Sequence, residues 1–98
     1  MSTNYEFLDV NLIPTIQDFR VREENGDFCI IVNLKQRFWL ISSRSFVEIL
    51  LLCDGKRSLN DIIKIYSEEF PDTDLNIIAK DVREVIVNSL NLGFLFIK

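Results

Sequence analysis

The sequence has no histidine, only two cysteines, and three glycines that stand apart from one another. Without histidine the chain has no Cys-His or Ser-His pair and no two-histidine metal site. Isolated glycines do not form a phosphate-binding loop, and two cysteines are too few for the disulfide framework of a small secreted domain. We therefore expect no catalytic residue, no metal and no cofactor.

Clustered positive charge and long apolar runs are also missing. The net charge is −4 and the pI is about 4.7, which disfavours binding to nucleic acid or to an anionic membrane surface. The first ten residues, MSTNYEFLDV, lack the basic start and apolar run of a signal peptide. No apolar run approaches the roughly 18 residues of a membrane span. We predict a cytoplasmic protein with both thiols reduced and with neither a nucleic-acid nor a membrane partner.

What is present is enough apolar sequence for one packed domain. Hydrophobic residues make up 48% of the 98 residues, which fits a single small core. We interpret residues 1–18 as an extended lead-in and residues 19–98 as the domain. From Phe19 the chain reads FRVREE, a turn signal at 25–27, FCIIVN, a polar break, and RFWLIS over 37–42. These alternating and β-branched segments predict three strands in an antiparallel meander.

After Ser42 the hydrophobic period becomes helical, and three helices are predicted. The first follows SSRSFVEILLLC and should end at a left-handed Gly55. The second begins after Ser58 and should stop at Pro71, and the third runs from about 75 to 92. The predicted class is therefore α+β, with three strands followed by three helices.

The triplet Cys53-Asp54-Gly55 suggests either a thiol active site or a helix joint. No activating base is present in the sequence, and free cysteine often behaves as a small buried hydrophobe. We interpret Cys53 as a buried residue in the last turn of the first helix, followed by a turn at Asp54 and Gly55. Ser58 then caps the second helix, with Asp61 near its positive end.

The third predicted strand is an edge of the meander and is apolar on both faces. Phe38 and Leu40 face one way, Trp39 and Ile41 face the other, and Arg37 is the single blocking charge. An unpaired edge exposes backbone hydrogen-bonding groups. Either the lead-in covers this edge, or the edge accepts a strand from a partner.

The third predicted helix has an apolar arc of about 140°, wider than the roughly 100° of an ordinary surface helix. The excess lies at Ala79, Ile86 and Leu90, bordered by Arg83 and Val87. This flank either belongs to a wide core stripe or lines a groove. The core stripe itself is predicted to comprise Leu75, Ile78, Val82, Val85, Ile86 and Ser89.

Several segments, taken in order, resemble a known family. They are ENGDFCIIVN, RFWLIS, LLCDGKRSLNDII, EEF and KDVREVIVNSLNLGFL. Together they resemble the PqqD-like proteins, also called recognition elements of ribosomally synthesised peptide natural products, over about residues 14–97. RFWLIS is similar to the aromatic pair of the stand-alone recognition proteins of lasso-peptide clusters. The resemblance leaves open whether the chain is of that type or a partner of radical SAM enzymes.

The resemblance implies a winged-helix-like, non-catalytic adaptor that binds the leader of a precursor peptide. The leader would add a strand to the third strand, pack against the third helix, and be presented to a radical SAM enzyme or to a leader peptidase or cyclase. Lys80 and Arg83 would meet acidic leader residues. The peptide-binding residues predicted in this way are Arg37, Phe38, Trp39, Leu40, Ile41, Ala79, Lys80, Arg83, Ile86, Val87 and Leu90. The oligomeric state, monomer or dimer, stays open.

Two other functions are compatible with a small domain of this kind. A winged-helix DNA-binding regulator would share the fold order, but its recognition helix should be basic. Here Lys80 and Arg83 are balanced by Asp81 and Glu84. A small enzyme is disfavoured by the missing histidine and phosphate loop.

Overall fold

A computed structural model describes residues 8–17, 19–24, 26 and 28–98 of the protein. Within them the elements in chain order are β1 (Pro14–Ile16), β2 (Phe19–Glu23), β3 (Phe28–Asn33), β4 (Phe38–Ser43), α1 (Arg44–Leu52), α2 (Leu59–Ser67), α3 (Leu75–Asn91) and β5 (Leu95–Ile97). The predicted α+β class is confirmed, and β2, β3 and β4 are the three predicted strands. The short strands β1 and β5 are additions, because the sequence suggested only extended segments there.

The strands β2, β3 and β4 form an antiparallel sheet in that order. Side chains alternate between its two faces. The pair Ile31–Leu40 lies on the inner face, and the pair Ile30–Ile41 lies on the outer face. Because a slip of one residue would exchange the two faces, burial of Ile31 in the core fixes this register.

Two turns connect these strands. Of the predicted turn at 25–27, Gly26 alone is among the described residues, and its φ of +76° is the left-handed conformation that glycine adopts easily. Between β3 and β4, the buried Asn33 accepts hydrogen bonds at Oδ1 from the N–H groups of Lys35 (3.0 Å) and Gln36 (2.9 Å). Its Nδ2 donates to the carbonyl oxygen of Leu92 at 3.1 Å. This turn is thereby tied to the end of α3.

The segment before the sheet packs against the helices. β1 pairs antiparallel with β5, and the N–H groups of Leu59 and Asn60 donate to the carbonyl oxygens of Leu12 (2.8 Å) and Val10 (2.9 Å). Residues 8–17 therefore hold the start of α2 and the end of the chain together. Among the described residues this segment pairs with β5 and does not cover β4.

The joint between α1 and α2 is a structural turn. α1 ends at Leu52 with Cys53 as its C-cap, and Cys53 is fully buried. We had predicted that Gly55 ends α1. It has the expected left-handed φ of +82°, but it lies two residues beyond the C-cap Cys53 and therefore does not end the helix. The turn is instead closed by Asp54, whose Oδ1 accepts hydrogen bonds from the N–H groups of Lys56 (2.9 Å) and Arg57 (3.2 Å).

The helix caps agree with the sequence. Ser43 caps α1 by accepting from the N–H of Phe46 at 3.2 Å. Ser58 and Asp61 form a reciprocal capping box at the start of α2, with distances of 3.1 and 3.2 Å. Such caps satisfy N–H groups that have no partner inside the helix. We predicted that α2 ends at Pro71, but the helix ends earlier, at Ser67.

The core lies between the inner face of the sheet and the three helices, and α3 packs against α1, α2 and β5. Phe94, which follows α3, is fully buried and contacts the rings of Phe19 and Phe38 at centroid distances of 6.1 and 5.6 Å. Leu75 was predicted to be in the core stripe of α3, but it is exposed. Its neighbours Asn76 and Ile77 are exposed as well, because the first turn of α3 projects beyond the packed part of the helix.

Candidate peptide-binding site

The open edge of β4 is the first part of the candidate site. β4 is the last strand of its sheet and, among the described residues, pairs with β3 alone. In an antiparallel edge strand, alternate residues direct N–H and C=O groups away from the neighbouring strand. β4 therefore offers a row of backbone donors and acceptors. Arg37 lies in the turn before β4, with a φ of +58°, and is not part of the strand where we had placed it.

The two faces of β4 differ in their surroundings. Phe38 and Leu40 point inwards and pack against the core. Trp39 and Ile41 point outwards and are 64% and 63% exposed. The sequence did not determine which face would be buried. A peptide strand added to β4 would place its own outward side chains beside Trp39 and Ile41.

The outer face of the sheet continues this apolar surface away from the edge. Phe28, on β3, is 58% exposed and lies opposite Ser43 in the register. A shallow cavity of about 590 Å³ is lined by Phe28, Ile30 and Ile41 together with Glu24. Large exposed apolar surfaces on small domains mark interaction sites. This surface spans β3 and the outer face of β4, so it reaches the open edge at Ile41.

The second part of the candidate site is a groove of about 310 Å³ at the end of β4. We call it the α1–α3 groove. Its lining residues are Ser43, Ser45, Phe46, Ile49, Tyr66, Asp81, Glu84, Val85 and Asn88. Because Ser43 is the last residue of β4, the open edge runs into this groove. On α3 the groove takes positions spaced by three and four residues, which form one flank of the helix.

Chemistry that would suggest an enzyme is not found at the joint after α1. Burial, and secondly the negative charge of Asp54, raise the pKa of the Cys53 thiol from 9.0 to about 12. Its Sγ–H donates to the carbonyl oxygen of Ile49 at 3.3 Å. A thiol held neutral in this way is a poor nucleophile, so the structure agrees with the interpretation of Cys53 as a packing residue.

In the part of the chain that the structure describes, no group of three or more His, Cys, Asp or Glu side chains is arranged to hold a metal ion. No helix in the same residues has the length and apolar character needed to cross a membrane.

Comparison with known proteins identifies the family. The family model for coenzyme PQQ synthesis protein D (PqqD) matches residues 43–95, more than half of the chain. This chain belongs to the PqqD family. The matched region runs from the last residue of β4 through all three helices to the start of β5. No curated protein matches the sequence significantly.

A solved structure shows the same fold. It is titled "TbiB1 in Complex with the TbiA(beta) Leader Peptide" and matches with a TM-score of 0.67 and 16% sequence identity. The match covers 83% of this chain and 93% of that one. At this identity the similarity demonstrates a shared fold, and it extends the agreement beyond the PqqD family match to most of the chain.

In this PqqD-family protein, the predicted residues of α3 do not line the α1–α3 groove. Val85 lines it, whereas Val87 lies two positions on, about 160° away around the helix. We had placed Val87 outside the core, but it is only 9% exposed. Ile86 is fully buried, while Ala79 and Leu90 are half-buried against the core. The physical reason is that α3 contacts α1, α2 and β5, so a wide apolar arc is needed for packing alone.

The two cations predicted on α3 have different surroundings. Lys80 is exposed, and Arg83 is half-buried, with its Nε buried and without a hydrogen-bond partner among the described residues. Neither residue lines the α1–α3 groove. Whether they contact a peptide stays a prediction.

The groove residues that sequence reasoning missed are mainly polar. Asp81, Glu84 and Asn88 line the groove with Val85, but a search for excess apolar surface on α3 passes over them. The sequence pattern that could have revealed them is a set of polar residues at i, i+3 and i+7 beside an apolar residue at i+4, counted from Asp81. Only the position of α1 shows that this flank faces a groove rather than open solvent.

Proposed function

We propose that this protein is a non-catalytic adaptor that binds the leader segment of a ribosomally synthesised precursor peptide. The observation that carries the proposal is the open edge of β4, which runs directly into the α1–α3 groove. Addition of a peptide strand to an exposed sheet edge is a common recognition mode, in which backbone hydrogen bonds give affinity and pockets give specificity. The shared fold with TbiB1, which was solved with a leader peptide, supports this assignment.

In the proposed complex the leader pairs with the backbone of β4. Trp39 and Ile41 contact its outward side chains, while Phe38 and Leu40 support the strand from the core side. The α3 contacts come from the flank that lines the groove. The buried Ile86 packs behind this flank and acts through its position, not through direct contact.

A maturation enzyme is the proposed second partner. It would be a radical SAM enzyme or a leader peptidase or cyclase that receives the bound precursor. Because such precursors are made on ribosomes, we place the protein in the cytoplasm. We propose that the enzyme docks on the outer face of the sheet at Phe28 and Ile30 of β3, with Ile41 of β4 at the border between the enzyme and the bound peptide.

The DNA-binding alternative receives no support from the geometry. A recognition helix should present basic side chains to the phosphate backbone. The groove flank of α3 instead presents Asp81 and Glu84, and Arg83 is half-buried.

Amide hydrogen exchange tests the proposal. The ligand is a synthetic peptide with the leader sequence of the proposed precursor. On addition of this peptide, we expect slower exchange of the edge-facing amides of β4, over 38–43, because they gain hydrogen bonds. Slower exchange confined to β2 or to α2 would contradict the proposed binding mode.

Two proline substitutions sharpen the test. At adjacent positions of β4, one N–H points towards β3 and the other towards the open edge. Of the variants Leu40→Pro and Ile41→Pro, one therefore removes a hydrogen bond to β3, and the other removes an N–H donor at the open edge. The variant that removes only the edge donor should keep its melting temperature and should lose leader binding. If that variant binds the leader like the wild type, strand addition to β4 is wrong.

A further inference from the structure

The α1–α3 groove has a distinct charge pattern. Asp81 and Glu84 stand on the same flank of α3, three residues apart, with Val85 and Asn88 beside them. Among the described residues that line the groove there is no lysine or arginine. Two carboxylates therefore face the groove without a cation in its wall.

The cation of α1 is directed elsewhere. Arg44 lies between the two groove serines, but its guanidinium pairs with Glu23 at 2.8 Å and donates to the carbonyl oxygen of Gly26 at 3.2 Å. In the described part of the chain, the ion pairs found do not include Asp81 or Glu84. The negative charge of the groove is thus left for an occupant to balance.

The deeper part of the groove is largely apolar. Phe46 and Ile49 of α1 and Tyr66 of α2 line it, and Ile49 and Tyr66 are buried whereas Asp81 is exposed. A lysine or arginine side chain matches this combination, because its aliphatic stem packs on apolar surface while its charged end reaches acidic groups. An acidic side chain would meet like charge here, and a purely apolar one would leave the carboxylates facing it.

We propose that the peptide bound along β4 carries a lysine or arginine that enters the α1–α3 groove and pairs with Asp81 and Glu84. The residue lies in the part of the peptide that passes Ser43, where the edge of β4 meets the groove. This inference rests on the proposed function and specifies the peptide class that the site selects. It differs from the expectation that acidic leader residues meet Lys80 and Arg83.

Peptide selection tests the inference without knowledge of the natural leader. A phage-displayed library of random 16-residue peptides is selected against the wild-type protein and against the Asp81→Asn/Glu84→Gln double variant. Peptides that slow amide exchange in β4 are retained. We expect lysine or arginine to be enriched at one position flanking the β4-pairing segment with the wild type, and this enrichment to vanish with the variant.

Affinity measurements then assign the effect to the two carboxylates. For a selected peptide, the double variant should bind about three- to tenfold more weakly than the wild type, as expected for solvent-accessible ion pairs. Replacing the basic residue of the peptide by glutamine should cost about as much with the wild type and almost nothing with the variant. The difference in affinity between the wild type and the double variant should become smaller at high salt, because exposed charges are screened.

The matched control is Glu69→Gln/Asp72→Asn, which removes the same charge from exposed positions outside the groove. Its affinity should stay within about twofold of the wild type. Selected peptides that protect β4 but show no basic position, or an acidic one, would overturn the inference and leave the proposed function standing. If no selected peptide protects β4, both fail.

Discussion

The thiol of Cys53 shows how burial decides the role of a residue that the sequence left ambiguous. In the unfolded chain this thiol ionises near its ordinary pKa of 9.0, whereas burial raises the pKa in the folded protein to about 12. Folding thus favours the neutral thiol. Since the folded pKa is the higher one, this contribution to stability is fully present below pH 9 and is lost as the pH rises towards 12.

Cys53→Ala should change both the size and the pH dependence of stability. At neutral pH we expect the free energy of unfolding to fall by about 1–2 kcal/mol, as for deletion of a small buried group. Between pH 9 and 12 the wild type should lose up to about 1.4 kcal/mol per pH unit more than the variant. Urea unfolding at a series of pH values measures this difference. Rapid labelling of Cys53 in the native protein at pH 8 would contradict its burial.

At the scale of elements, the long helices and strands were predictable and the short strands were not. The capping box at Ser58 and the alternation along β2 are local signals that the sequence carries directly. β1 and β5 have three residues each and pair across the whole length of the chain, so neither has a period long enough to recognise. For α3 the wheel gave most of the apolar arc, but it placed Val87 outside and Leu75 inside the core, and the structure reverses both. The neighbours of the helix decide which positions are buried.

Two apolar-to-acidic substitutions in α3 test this reading of the helix. Val87 is nearly buried and Ile77 is exposed, although both are β-branched residues of the same helix. Val87→Glu should lower the free energy of unfolding by about 2–4 kcal/mol, because it places an unpaired carboxylate in an apolar site. Ile77→Glu is the control and should change it by no more than about 0.5 kcal/mol. Equal, small effects in thermal and urea unfolding would show that Val87 lies outside the core.

At the scale of the whole molecule, the two proposed binding surfaces adjoin along β4, where Ile41 belongs to both. In the proposed complex the peptide adds to the open edge of β4, whereas Phe28 on β3 lies one strand further in. The sequence predicted an open edge that could accept a strand at β4, from its place at the end of the meander and its apolar residues on both faces. It did not predict the outer face, because a strand that is apolar on both sides, such as β3, does not reveal which side the helices cover. The three-dimensional packing supplies that information.

The position of Phe28 away from the open edge leads to a prediction about the proposed maturation enzyme. Phe28→Ser removes an exposed aromatic ring that the leader does not reach, so leader affinity should stay within about twofold of the wild type. Binding of the leader-bound protein to the proposed maturation enzyme should weaken at least about tenfold, since aromatic residues commonly dominate interface energies. Trp39→Ser is the comparison variant. Trp39 lies on the outward side of the edge strand β4, where the proposed peptide and enzyme surfaces meet, so its replacement should weaken binding of both partners. Calorimetric titration of each partner, with thermal melts to confirm folding, separates the two effects. Unchanged enzyme binding by Phe28→Ser would place the enzyme on another face, because docking on the outer sheet requires contact with this ring.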